Sequence, residues 1–316
     1  MKSVFLPLDQ NGNPVHAHGG HILRENDKFY WIGEDRTGRN KVSCYVSTDL
    51  MNWSFSNHIL TIDSTVAPHY VRTYPELDIP EQQAEIGQGC NIERPKVLYN
   101  EKTKKYVMWM HWERPSDYSQ ARCAVAVCDT IDGDYTYLGS FNPIGHMSRD
   151  CTLFKDDDGT AYFVSAARDN DDLNIYKLSD DYLSIDRLVH VLWPGQQREA
   201  PTLFKRNGLY YMLTSGCTGW DPNQSAYAYS TSIAGDWSLP KELGDETTYR
   251  SQPTCVIPLH EKNGSIGYWY LGDRWGGSHD DYFKSKYVLL PLKFVSDKEI
   301  ILEWLEEVDL PTSIIE

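Results

Sequence analysis

The 316-residue chain has no uninterrupted apolar run near the roughly 18 residues that a membrane helix needs. Few segments carry the 3.6-residue apolar period of a helix. Its seven cysteines (Cys44, Cys90, Cys123, Cys128, Cys151, Cys217 and Cys255) are odd in number and form no CxxC pair. That pattern fits neither a disulfide framework nor a thiolate zinc site, and it suits a reducing compartment. Positive charge is scarce as well: 30 Lys and Arg stand against 45 Asp and Glu, a formal net charge of −15. An acidic surface repels a phosphate backbone, so neither nucleic acid nor a membrane is an expected partner. The opening MKSVFLPLDQNGNPV lacks the roughly 7–15-residue apolar stretch of a secretory signal. The expected location is therefore the cytoplasm.

What the chain has is ample core material, with apolar residues at 41% and aromatics at 13%, the latter weighted toward Tyr 21 and Trp 10 over Phe 9. Tyr and Trp populate β-sheets, and they also pair an apolar face with a polar tip, as sugars do. Short alternating or aromatic runs bounded by DG, NG and charged turns recur along the whole length, which is an all-β signature.

Aligned with one another, these runs form a repeat: a polar anchor, a strand and turn, an aromatic strand, then a third strand closed by an Asp-rich turn. The copies begin at HAHGGHILRENDKFYWIGED (His16–Asp35), NIERPKVLYNEKTKKYVMWMHW (Asn91–Trp112), SRDCTLFKDDDGTAYFVSAA (Ser148–Ala167), REAPTLFKRNGLYYMLTSG (Arg198–Gly216) and YRSQPTCVIPL (Tyr249–Leu259). Anchors Glu93, Asp150, Glu199 and Gln252 are spaced 57, 49 and 53 residues apart, suited to one four-stranded blade each. The expected fold is a single five-bladed β-propeller over residues 1–316, with residues 61–90 as a rim loop carrying at most one helical turn. Two β-sandwiches of similar length would not place matching anchors at a period near 50.

Inner strands of a propeller converge on its axis, so His18, Glu93, Asp150, Glu199 and Gln252 are expected to meet in one funnel. Gathering three carboxyls and an amide is costly unless something binds there.

These residues resemble the five-bladed glycoside hydrolases of family 43 over essentially the whole chain. SRDCTLFKDDDGTAYF is similar to the family segment whose Asp precedes a DDDG turn, and REAPTLFKRNGLYYM to its Glu-x-Pro segment. The resemblance implies that Glu199 is the proton donor and Asp150 the residue that tunes and orients it. Where the family usually has a general-base Asp, this chain has AHGGHI (Ala17–Ile22), without a carboxylate. That departure, together with NIERPKVLYN, FYWIGED and YRSQP, resembles the exo-β-1,3-galactanase branch. Membership there implies that Glu93 and Glu34 line a galactose pocket and that Gln252 stands in for the base.

Cleaving a glycosidic bond needs one carboxyl still protonated near neutrality and a second group opposite to activate water. Neighbouring negative charge from Asp150 and Glu93 would keep Glu199 protonated. A neutral amide is a weak base, so Gln252 stands as base, water positioner, substrate contact or structural hydrogen-bonder, with Glu93 as the second candidate for base. His18 is expected to hydrogen-bond sugar or the central carboxylates. Tyr118 and Trp112, which follow the Glu93 strand, are the first choices for stacking on sugar, ahead of Trp220 and Trp275. Trp31, Trp53, Trp109, Trp237 and Trp269 are assigned to blade cores. His16, His18 and His21 lack the partners of a tetrahedral metal site, and Asp156–Asp158 reads as a hairpin turn, so no metal or cofactor is expected. The expected activity is inverting, exo-acting release of galactose from β-1,3-galactan oligosaccharides. An α-L-arabinofuranosidase or β-xylosidase, or a non-catalytic sugar-binding propeller, are the alternatives.

Overall fold

The structure, a computed structural model, describes residues 1–69, 73–77, 89–114, 118–261 and 263–311. Its strands form five antiparallel sheets, four of which run from inner to outer strand in chain order. Blade one comprises His18–Glu25, Lys28–Asp35, Lys41–Ser47 and Ser54–Leu60, and blade two Asn91–Asn100, Lys105–Glu113, Arg122–Cys128 and Thr136–Phe141. Blade three comprises Cys151–Lys155, Ala161–Ala167, Asp172–Leu178 and Ile185–Leu192. Blade four comprises Arg198–Arg206, Leu209–Gly216, Ser225–Ser230 and Lys241–Leu243.

Blade five closes the ring. Gln252–His260, Ile266–Arg274 and Lys286–Ser296 are joined on the outside by Glu299–Leu302 and by the N-terminal Val4–Phe5, which pairs at Val4↔Val288 and Phe5↔Tyr287. The chain's two ends are thus fastened together, and Met1 N donates to Val308 O at 2.7 Å. The repeat reading placed five units correctly but did not foresee this N-terminal strand. A five-bladed β-propeller is what the structure shows.

Strands that pack between blades bury both faces, which explains why Lys105–Glu113 (KYVMWMHWE) is buried from Tyr106 onward rather than alternating. The apolar residues form four clusters: three lie between blades one and two, two and three, and three and four, and the largest runs through blades four, five and one. Trp31, Trp53, Trp109 and Trp269 are core residues, as expected, and Trp237 is partly buried against the blade three–four cluster. The DDDG segment is a hairpin turn in which Asp156 N donates to Thr160 O at 2.8 Å and Gly159 takes φ +82°.

The expected rim loop is in part an edge. Residues 66–69 and 73–74 run along the outer strand of blade two, with bridges Val66↔Tyr137 and Tyr74↔Ser140. Leu77 enters the core between blades one and two. The described residues of this segment, 61–69, 73–77 and 89–90, contain no helical turn; the rest of the segment lies outside the described residues.

Candidate active site

Four of the five inner strands carry a one-residue register shift near their start, between His18/His21, Glu93/Lys96, Glu199/Thr202 and Pro253/Cys255. Gly19, Arg94 and Ala200 sit in these bulges with φ of +58°, +50° and +52°. A bulge bends its strand and re-aims a side chain. Here the anchor residues are turned into the axial funnel, and Glu34, Arg36, Glu93, Arg94, Tyr118, Asp150, Glu199, Gln252, Trp220 and Trp275 line one cavity together with Gly219.

Glu199 is half-buried in the cavity wall, and its carboxyl is pushed up to about 7, first by burial and then by the negative charge of Asp150. It therefore holds a proton near neutrality, as a general acid must. Asp150 Oδ2 accepts from Arg94 Nε at 2.8 Å and from Ala200 N at 3.0 Å, so the Glu199 segment is tied to Asp150 through the backbone. Asn170 Nδ2 donates to Glu199 Oε2 at 3.2 Å.

Gln252 Nε2 donates to Glu199 Oε1 at 3.0 Å and to Ser215 Oγ at 2.9 Å. Its Oε1 accepts from Trp275 Nε1 at 2.8 Å and from Arg94 Nη2. Two donors converging on one atom fix that atom as the oxygen. The expectation that Gln252 serves as base therefore meets an amide oxygen with both lone pairs occupied.

On the opposite wall, Glu93 is largely buried, which opposes ionisation. The close contact and charge of His111, the charge of Arg36 and the Tyr118 hydroxyl overcome this and hold its pKa well below the usual carboxylate range. The contacts are Arg36 Nη2 at 2.8 Å, Tyr118 Oη at 2.5 Å and His111 Nδ1 at 2.9 Å. Burial would discharge His111, but Glu113 and Glu93 raise it to about 9, so it is cationic at neutrality. Glu34 behaves differently. Burial outweighs Arg36 and pushes it up to about 7, while Tyr282 Oη donates to its Oε1 at 3.1 Å. The cavity thus offers ionised Glu93, protonatable Glu34 and the Arg36 guanidinium, a mixed set of donors and acceptors suited to sugar hydroxyls.

Two expectations need correction. Trp112 does not face the cavity: it is buried between blades one and two, with Nε1 donating to Leu77 O at 3.2 Å. Trp220 and Trp275, ranked behind it, are the indoles that wall the cavity, and Trp220 stays 37% exposed. His18 is fully buried and does not line the cavity. Its Nδ1 lies 2.9 Å from Asp273 Oδ1 and its ring stacks on Tyr287, so its carboxylate partner is one that the repeat anchors did not include. Tyr118 lines the cavity, with its hydroxyl donating to Glu93 Oε1.

Sequence reasoning missed Arg36, Arg94, His111, Asn170 and Asp273. Arg36 was within reach, because it stands two residues beyond Glu34 in FYWIGEDR. Glu93, His111 and Asp150 bring one potential ligand atom each within 4.8 Å of one another. Arg36 and Arg94 already bind the two carboxylates, so the group reads as an ion-pair network.

A propeller funnel that keeps one carboxyl protonated beside ionised ones has the equipment of a glycosidase. The model of glycosyl hydrolases family 43 matches residues 95–252. An exo-β-1,3-galactanase from Clostridium thermocellum is 46% identical over 95% of this chain, with a TM-score of 0.84. One from Phanerochaete chrysosporium, solved with galactose, is 34% identical over 96% (TM-score 0.81), and a putative one from Bifidobacterium bifidum is 32% identical over 98% (TM-score 0.82). The chain belongs to glycosyl hydrolases family 43. It spans 65% and 66% of the clostridial and fungal chains and 99% of the bifidobacterial one. No curated protein sequence matches it.

Proposed function

We propose that the protein is an exo-acting, inverting β-galactosidase that releases galactose from the ends of β-1,3-linked galactan oligosaccharides. The observation that carries this reading is the cavity itself: a carboxyl with a pKa of about 7 set in an axial pocket, in a chain 46% identical to an exo-β-1,3-galactanase. Glu199 gives its proton to the glycosidic oxygen, and Asp150 keeps that proton on Glu199 until the leaving group takes it. Arg36, Glu34, Glu93 and Tyr118 bind the terminal sugar, with Trp220 and Trp275 offering ring faces.

Water activation falls to a carboxylate, since the Gln252 oxygen is occupied. Glu93 accepts two hydrogen bonds, both at Oε1, and its Oε2 lies 2.9 Å from His111 Nδ1; with a capacity of about four, that leaves room for a water proton. Cys44, Cys123, Cys128, Cys151, Cys217 and Cys255 are free thiols, which favours a reducing, cytoplasmic setting and substrates that are already short.

The test is to incubate the protein with linear β-1,3-galactooligosaccharides and follow the products by NMR. Galactose released singly, first as the α-anomer, is expected. Glu199→Gln should cut turnover about 10²–10⁴-fold on these substrates and regain part of it on a galactoside with a good leaving group. Longer products, the β-anomer first, or wild-type rates in the variant each refute the reading.

A further inference from the structure

Two amides reach Glu199, one on each carboxylate oxygen, and both stand on unusual backbone. Asn170 is 5% exposed, and its Nδ2 donates to Glu199 Oε2 while its main-chain oxygen accepts from Arg198 N at 3.2 Å. It ends a run of three left-handed residues, Arg168, Asp169 and Asn170, at φ +48°, +54° and +66°. Side chains fasten that turn, with Arg168 gripping Asp172 through two contacts of 2.8 Å and Arg149 holding Asp169 at 2.8 Å.

On the other side, Thr248, Tyr249 and Arg250 form a second left-handed run at φ +49°, +56° and +59°, two residues before Gln252. Asp245 Oδ1 secures it by accepting from Tyr249 N at 2.6 Å. Non-glycine residues hold such conformations only where the surroundings over-determine them, and they cluster at functional sites.

Gln252 has two N–H groups and two oxygen lone pairs, and all four meet protein partners. Nothing remains with which to take a proton from water. Its imidic-acid tautomer, which would carry a proton on Oε1, would aim that proton at the N–H groups of Trp275 and Arg94.

We propose that Asn170 and Gln252 form an amide clamp on the proton donor: they fix the Glu199 carboxyl and stabilise its carboxylate as the proton leaves for the glycosidic oxygen. Both are positioning residues, and Gln252 serves the acid rather than the attacking water. The clamp rests on Glu199 being the donor. The charged and titratable groups facing Glu199 are Asp150 and Arg94 from neighbouring blades, Arg198 beside it in the chain and the Cys217 thiol. The alanine variants alter the charge of none of them, although Asn170 Nδ2 also donates to Cys217 Sγ at 3.1 Å and Gln252 Oε1 also holds Arg94.

The test compares Asn170→Ala and Gln252→Ala on β-1,3-galactobiose, whose leaving group needs a proton, and on a dinitrophenyl β-galactoside, whose leaving group does not. Both variants should lose about tenfold or more in kcat/KM on the disaccharide and stay within about threefold of wild type on the activated substrate. Their alkaline limb should move to higher pH, because a carboxylate without its donors binds its proton more tightly. Equal losses of Gln252→Ala on both substrates would place it on the water and overturn the clamp. An unmoved limb and unchanged rates in Asn170→Ala would also overturn it. Should an alanine variant fail to fold, Asn170→Asp and Gln252→Glu, which keep the size but remove the donor, must show the same leaving-group split. Glu199→Gln is the control. A split there without one in the amide variants sinks the clamp alone, whereas no split there sinks the donor assignment.

Discussion

Asp150 acts on Glu199 through charge across a shared backbone contact, and charge has a sign that can be tested. After burial, its negative charge is the next cause of the raised Glu199 pKa. Asp150→Asn should therefore leave the fold intact and move the alkaline limb of the pH–rate profile below its wild-type position near pH 7. The Arg94 guanidinium, released from its 2.8 Å contact, adds to the same direction. Burial remains, so only part of the shift is lost. A limb that stays in place excludes Asp150 as the tuner.

At this scale the sequence was legible where the repeat supplied a reference point: Glu93, Asp150, Glu199 and Gln252 all reach the funnel because each sits at the same place in its unit. Trp112 was misjudged for a reason visible in hindsight. His111 faces Glu93, and neighbouring residues of a strand point to opposite faces, so Trp112 had to enter the core. Arg94 was illegible, since a residue within a bulge escapes that alternation.

Among the elements, the second strand of blade one shows how closely the framework bears on the site. Gly33 stands just before Glu34, and a Cβ there would lie 2.1 Å from the Ala17 carbonyl carbon, a backbone atom that cannot swing aside. The Ala17 segment is itself held, its N–H donating to Tyr287 Oη at 2.9 Å. Gly33→Ala should force the two segments apart at about 1–3 kcal/mol, the usual cost of overpacking. It should also displace Glu34, so the expected result is a lower melting midpoint together with a raised KM for galactose-terminated substrates. An unchanged midpoint would mean that the strands separate freely. The blades were legible because turn residues and aromatic strands recur with a period. The edge pairing of residues 66–69 and 73–74 was not, because single bridges made by main-chain atoms leave no side-chain pattern.

For the whole molecule, burying so many charged groups at one axis makes stability depend on pH. Glu34 and Glu199 are raised from 4.5 to about 7, so the stability they lend is complete below pH 4.5 and is lost as pH rises through 7. His111 is raised from 6.5 to about 9, so its contribution declines from pH 6.5 upward. Lys96, at the axis with Nζ on Gly19 O, is pushed down to about 8 by burial and then by Arg94, and it acts in the opposite direction only above pH 8. His21, held down to about 3 by burial, has finished its opposite effect by pH 6.5. Between pH 6.5 and 8 the glutamates and His111 therefore act together, and the melting midpoint should fall across that window. Glu199→Gln removes one titrating group without changing its size, so its midpoint should fall less steeply than that of the wild type over the same range. Parallel slopes in thermal denaturation at pH 6.5, 7.2 and 8 would show that Glu199 is already ionised at pH 6.5, and with that the proton donor would lose its proton source.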